Sequence, residues 1–406
     1  MTISDVTISN INAICGQQDV SRAESLLNKH VEAYGRGEYV FSSPGRVELI
    51  GNHTDHNHGK VMASAINLDI MAIVSREDNF VKINSEGYPP FVVDLSDLTK
   101  RDEEEGTSIA VVKGVLEYFA SHNKRIGGFC ATMNSNVPKG AGVSSSAAFE
   151  VLIGEILSYL YNDDSVEYDF LAQAAHYAET EYFGKPCGLL DQFAIAAGGV
   201  TYMDFEDPSN PKVERMTPEF EGVSMVLIAT GGDHSDLTEH YASIRLEMES
   251  IAEFLGEKCL RDVPIDKFEQ AIPLLKQRLG GRAIMRALHF YEENKRVDCA
   301  RQAVLNNDDT IFYYTLTQSG VSSYQLLQNC YVPGDVEQPI PLALALACRC
   351  TGVRGYRVHG GGFAGTILTF LEDKYLDQYV EFMSSMFPSV SVLKFRGVGA
   401  ICLGEV

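Results

Sequence analysis

The hydrophobic period of the chain changes along its length, and this change limits the possible folds more than any single residue does. Between Tyr39 and Leu95, apolar residues come in short runs and alternations separated by polar turns, at 39–50, 63–74, 80–83 and 91–95. Period two over a few residues marks a strand. In the first of these runs, YVFSSPGRVELI, a Ser-Pro-Gly turn is expected to separate two strands. The charged run Arg101–Gly106 reads as a solvated loop before a helix at about 107–121, and 127–135 returns to strand. After residue 145 the period becomes helical: Phe149, Leu152, Ile153, Ile156 and Leu160 recur at three- and four-residue steps. A second helix is expected over 167–183. Residues 203–222 are polar and carry three prolines, which makes them the expected boundary. Beyond them come a strand at 223–229, helical patterns between about 236 and 328, and strands near 366–371 and 391–403. Strands interleaved with paired helices predict an α+β class rather than a doubly wound sheet. At 406 residues the chain exceeds what one core of roughly 250 residues holds, so two domains are expected.

Composition narrows the function classes. With 33 basic and 55 acidic side chains the net charge is −22. Such an excess repels phosphate backbones and anionic lipid, so neither nucleic acid nor membrane is an expected partner. The start of the chain lacks a basic segment followed by an apolar run, and no stretch of about 18 apolar residues occurs. A soluble, cytoplasmic protein is expected. The nine cysteines are odd in number, scattered and free of CxxC spacing, which reads as reduced thiols. Cys348 and Cys350 are expected to be buried in the core.

Three segments carry chemistry. The first is KGAGVSSSAA, Lys139–Ala148, between an expected strand and an expected helix. Glycines permit close approach to a ligand, the helix start offers free N–H groups to an anion, and serine hydroxyls suit that position. The segment is neither GxGxxG nor a Walker A loop, and a ligand-free helix cap remains the alternative. The second is Ser42–Ile66. His53, Asp55, His56 and His58 invite a zinc reading, a solvated turn, or hydrogen bonding to a hydroxylated ligand. Strand alternation would throw 53 and 55 to one face and 56 and 58 to the other. Arg46 offers a permanent cation with fork-like donors, suited to phosphate or carboxylate. The third is VHGGGFAGTILTFL, Val358–Leu371. Its glycines match GxGxxG, yet a strand follows where a dinucleotide fold needs a helix. A glycine loop joining two strands and packing on another part of an active site fits better.

Together and in order, these segments resemble the GHMP kinase superfamily. PGRVELIGNHTDHNHG is similar to the galactokinase signature, AETEYFGKPCGLLDQF (Ala178–Phe193) to that family's catalytic aspartate segment, and LTEHYASIRLE (Leu237–Glu247) to its tyrosine segment. The resemblance runs from about residue 39 onward. It implies a two-domain α+β architecture, with a ribosomal-protein-S5-like N-terminal domain (1–205), a ferredoxin-like C-terminal domain (206–406) and an active site in the cleft between them. The C-terminal domain would carry the Tyr241 segment and the glycine loop 360–365. It also implies phosphoryl transfer from ATP to the anomeric hydroxyl of galactose, with Mg²⁺ as cofactor and a monomeric state. Backbone groups of Gly140–Ser145 would wrap the phosphates, within an ATP site of Lys139, Gly140, Ala141, Gly142, Val143, Ser144, Ser145 and Ser146. Ser146 and Glu179 match the metal ligands, Asp191 the catalytic aspartate and Arg46 its basic partner. His53, Asp55, Gly188 and Tyr241 match sugar contacts, and Asn52 occupies a further sugar-contact position.

The sequence also departs from the family pattern. Asn52 stands where Glu is usual, Glu48 where Asn is common, Ala364 where Gly is usual, and Thr180 where His is common. An amide both donates and accepts, whereas a carboxylate only accepts. Asn52 therefore leaves open a kinase for a related sugar or sugar acid, and a non-catalytic sugar sensor is a third reading.

Overall fold

The structure, a computed structural model, describes residues 1–138, 142–232, 237–363 and 365–406. The first 140 residues supply most of one sheet: β1 (Tyr39–Ile50), β2 (Lys60–Glu77), β3 (Phe80–Ser85), β4 (Phe91–Asp94) and β5 (Gly128–Ser135). Its order is β12-β1-β2-β5-β3-β4, where β12 is Ile401–Glu405. A short hairpin, β6 (Val200–Asp204) with β7 (Lys212–Met216), joins through β6 on β2. Every pairing is antiparallel except β3 with β5. The second sheet, order β11-β8-β10-β9, consists of β8 (Val223–Ala229), β9 (Val353–His359), β10 (Thr366–Glu372) and β11 (Ser389–Leu393). β2 is buried along most of its eighteen residues, because helices pack on both faces: Asp19–Tyr34 on the side of Met71 and Ile73, Ser145–Tyr161 on that of Ala72 and Val74, with Gly281–Leu305 near its start at Lys60. One hydrophobic core runs from this sheet into the second, through Leu227, Leu368 and Phe370.

The expected Ser-Pro-Gly turn does not form. β1 passes straight through it, with register shifts at Val40/Phe41, Pro44/Arg46 and Glu48/Ile50. Proline lacks a ladder donor and is normally confined to sheet edges and bulges. Pro44 is tolerated because β12 pairs only as far as Ser42, so the strand has no neighbour on that side at residue 44. The polar stretch after residue 203 is not pure linker, since β7 lies within it. The run 391–403 is two strands in different sheets, with Gly397 and Gly399 in the crossing between them. A Cβ on Gly399 would stand 2.0 Å from the Ala196 carbonyl oxygen, so only glycine lets this crossing lie flat on its neighbour. The expected helix over 167–183 is α-helical only from Tyr168 to Tyr177 and then widens to a π-turn at Ala178–Tyr182. Cys348 is exposed and Cys350 half-buried, because both follow the end of the helix Pro339–Ala347, Cys350 at the margin of the core around Ile340 and Ala347. Among the described residues, no helix is long and apolar enough to cross a membrane.

Candidate active site

β1 carries Arg46 toward the start of the helix Leu190–Ala197, whose first turn holds Asp191. Both Nε and Nη2 of Arg46 reach Asp191 Oδ1, at 2.8 and 2.6 Å. Nη1 donates to the Gly142 carbonyl, and the Arg46 backbone N–H donates to Val143 O at 3.1 Å. The arginine thus ties the serine loop to the aspartate. Ser144 adopts a left-handed conformation, φ 58°, which costs a non-glycine residue about 1 kcal/mol. Its hydroxyl donates to the other Asp191 oxygen, Oδ2. The helix Ser145–Tyr161 begins directly after it. Lys139, Gly140 and Ala141, the first part of the expected ATP loop, lie outside the described residues, as does Ala364.

Ser145 and Ser146, in that helix's first turn, line a cavity of 990 Å³. Ile83, Tyr88, Phe91, Ile109 and Phe149 give it an apolar wall, while Glu150, Glu179 and Lys185 form a charged end. The π-turn brings Glu179 to this end, and such local widening is frequent at functional sites. Glu179 Oε1 pairs with Lys185 Nζ at 2.7 Å, and Oε2 accepts from Gln192 Nε2 at 2.8 Å. Glu150 lies one helical turn after Ser146 and is buried. Burial, followed by the charge of Glu179, holds its carboxyl well above the usual range. Two crowded carboxylates beside a serine hydroxyl form a hard-oxygen set that a divalent cation would relieve.

A smaller cavity of 270 Å³ adjoins this one and shares Glu179 and Lys185 with it. Arg46, Glu48, Asn52, Asp55, Gly188 and Asp191 are on its wall. The turn after β1 projects Asp55, which opens the short 3₁₀ helix Asp55–Asn57. Burial raises the Asp55 carboxyl above its ordinary range; His53 opposes this and the charge of Asp191 adds to it. A Cβ on Gly188 would stand 2.9 Å from Asp55 Oδ2, which explains glycine there. His53 donates from Nε2 to the Gly361 carbonyl at 3.1 Å. Tyr241 stands behind the glycine loop: its hydroxyl donates to Gly362 O at 3.0 Å, and its ring meets Phe363 edge-on. The loop that begins at Gly360–Gly362 thus joins β9 to β10 and packs on the second segment, Ser42–Ile66.

The histidines do not converge. His56 takes the Asn57 amide at 2.9 Å and His58 faces Cys259 at 3.5 Å. Among the described residues, no group of three or more His, Cys, Asp and Glu side chains is placed to hold a metal ion. Asn52 is 1% exposed, and its amide is spent internally. It donates to Glu48 Oε1 at 2.9 Å and to Gly360 O at 2.8 Å, and accepts from Asn329 at 2.7 Å. Sequence reasoning missed Glu150, Lys185 and Gln192. A single acid on an otherwise apolar helix face was the available signal for Glu150. For Asn329, and for Arg357, whose Nη2 donates to Glu48 Oε1 at 3.1 Å, there was none, since each lies far along the chain from the residues it touches.

Residues 28–76 match the model of the galactokinase galactose-binding signature, and residues 110–199 that of the GHMP kinase N-terminal domain. The galactokinase of Clostridium beijerinckii is 31% identical over 359 residues, covering 87% of this chain and 90% of that protein. The chain belongs to the galactokinase family. The Streptomyces coelicolor galactokinase is likewise 31% identical, over 89% of this chain and 92% of its own length. The structure of Lactococcus lactis galactokinase complexed with galactose superposes with a TM-score of 0.80 at 25% identity, covering 93% of this chain and 99% of that one. Methanococcus jannaschii mevalonate kinase, 14% identical, shares the fold at a TM-score of 0.63 over 88% of this chain and 98% of its own. The two-sheet α+β architecture of this galactokinase-family chain is therefore the GHMP kinase fold.

Proposed function

We propose that this chain is an ATP-dependent galactokinase, which moves the terminal phosphoryl group of ATP to the anomeric hydroxyl of D-galactose. One observation carries the reading: two cavities of different size and character meet at Glu179 and Lys185, with the Arg46–Asp191 pair on the wall of the smaller. The large cavity suits a nucleotide, with an apolar wall for the base and a helix start for the phosphates. The small one suits a monosaccharide bounded by carboxylates that accept from its hydroxyls. Family membership and the fit to a galactose-bound relative point the same way.

Phosphoryl transfer passes through a loose transition state, so catalysis rests on positioning and charge. In this reading Asp191, held through both oxygens by Arg46 and Ser144, orients the acceptor hydroxyl and takes its proton late in the transfer. Arg46 faces the charge that develops on the phosphoryl oxygens. Ser146 and Glu179 would hold Mg²⁺, which when bound neutralises phosphate charge. Asn52, His53, Asp55, Gly188 and Tyr241 shape the sugar side. The division at residue 205 belongs to the same reading, with β7 and β12 contributing strands to the first sheet. Coupled ADP release should be measured with galactose, N-acetylgalactosamine, galacturonate, glucose, arabinose, inositol and mevalonate. Galactose-dependent release with the highest kcat/KM is expected. Release with none of them would replace an enzyme by a sensor.

A further inference from the structure

Glu48 sits two residues beyond Arg46 on β1. The register pairs Arg46 with Ala65, Val47 with Ser64 and Glu48 with Ala63 without a break. Arg46 and Glu48 therefore leave the same face about 7 Å apart, roughly the width of a sugar ring. Both are on the wall of the small cavity.

The Glu48 carboxylate is fixed through one oxygen only. Oε1 accepts from Asn52 Nδ2 at 2.9 Å and from Arg357 Nη2 at 3.1 Å. Behind it, the Glu48 backbone N–H donates to His359 Nε2 at 3.1 Å. Oε2 has no hydrogen-bond partner among the described residues. The side chain is 12% exposed, so this acceptor meets the cavity rather than bulk water. Arg357 is fully buried and has its other donors occupied: Nε by Val358 O at 2.9 Å and Nη1 by Leu49 O. Asn52 likewise has no amide atom to spare.

We propose that Glu48 determines sugar specificity, with Oε2 accepting a hydrogen bond from a neutral hydroxyl across the ring from the reacting one. Asn52 and Arg357 act through it as positioning residues. A substrate carboxylate at that place would find an acid and no uncommitted cation, so sugar acids are excluded. The assignment rests on the galactokinase reading.

The test is a set of KM and kcat values for galactose and its 2-, 3-, 4- and 6-deoxy analogues, with the wild type and Glu48→Gln. For galactose, the substitution should raise KM about 10–100-fold, with little change in kcat or in KM for ATP. That penalty should vanish for the single analogue lacking the partner hydroxyl, because the wild type then loses the same bond. A penalty of equal size across galactose and every analogue, or none at all, overturns the assignment. If Glu48→Gln fails to fold, Glu48→Asp keeps the charge beside Arg357, withdraws the carboxylate by one methylene, and should show the same selective coupling. No turnover of galactose by the wild type overturns the parent reading and this one together; turnover with a uniform penalty overturns this one alone.

Discussion

Asp191 has no bond to spare for structure: Arg46 takes one oxygen and Ser144 the other, and both partners belong to the site. Asp191→Asn keeps the shape but loses the acceptor charge. We expect kcat to fall by about 10²–10⁴-fold while ATP affinity, read by calorimetry, stays near that of the wild type; ordinary turnover would remove Asp191 from the reaction. Gly188→Ala acts by crowding, since its Cβ would push against Asp55 Oδ2. A KM for galactose raised about tenfold with an unaltered KM for ATP is the expected result, and equal changes in both would argue for general damage. Residue types were legible where chemistry needs them close in sequence: Asp55 and Arg46 in one segment, Glu179 and Asp191 in another. The commitment of Asn52 was not legible, because Asn329 and Gly360 reach it from far along the chain. A one-residue departure that looks like altered sugar contact is, in the folded protein, a brace for its neighbour Glu48.

Elements were legible wherever one period dominated, as in the helix Ser145–Tyr161 and in β8 and β10. They were misread where long-range pairing overrode local signals. Pro44 looked like a turn because sequence does not show that β12 stops short of it. The π-turn at Ala178–Tyr182 keeps a helical period, so nothing in the sequence announces the extra residue that aims Glu179. The helix Asp19–Tyr34 shows how an element is held by polar groups: His30, fully buried, bonds Thr132 Oγ1 and Ser75 Oγ, each at 3.0 Å, on the sheet below. Burial lowers its imidazole from 6.5 to about 4, so it stays neutral in the fold. Between those values the unfolded chain binds a proton that the folded chain refuses, and stability therefore falls as pH drops from 6.5 to 4. Urea titrations across this window should show His30→Gln losing roughly 3 kcal/mol less than the wild type. An identical pH slope in the two proteins would mean that the imidazole protonates in place.

At the scale of the whole molecule, the expected α+β class is the one observed, and the glycine loop of the second sheet closes on the turn that follows β1. What no local pattern announced is the return of the chain to its first sheet. Arg396 Nη1 reaches Ser42 Oγ at 2.7 Å, and β12 then pairs with the beginning of β1. Removing Ile401–Val406 should lower Tm and weaken galactose binding together, since the strand that loses its neighbour is the one bearing Arg46 and Glu48. A truncated protein with the wild-type Tm would show that the pairing is ornamental.

That pairing also sets a schedule. At about 5–20 residues per second, β12 leaves the ribosome tens of seconds after β1. For all that time the outer edge of β1 offers free N–H and C=O groups to any passing strand. The strand that bears Arg46 is thus an adhesive segment of the nascent chain, and cellular yield should depend on whatever shields that edge during synthesis.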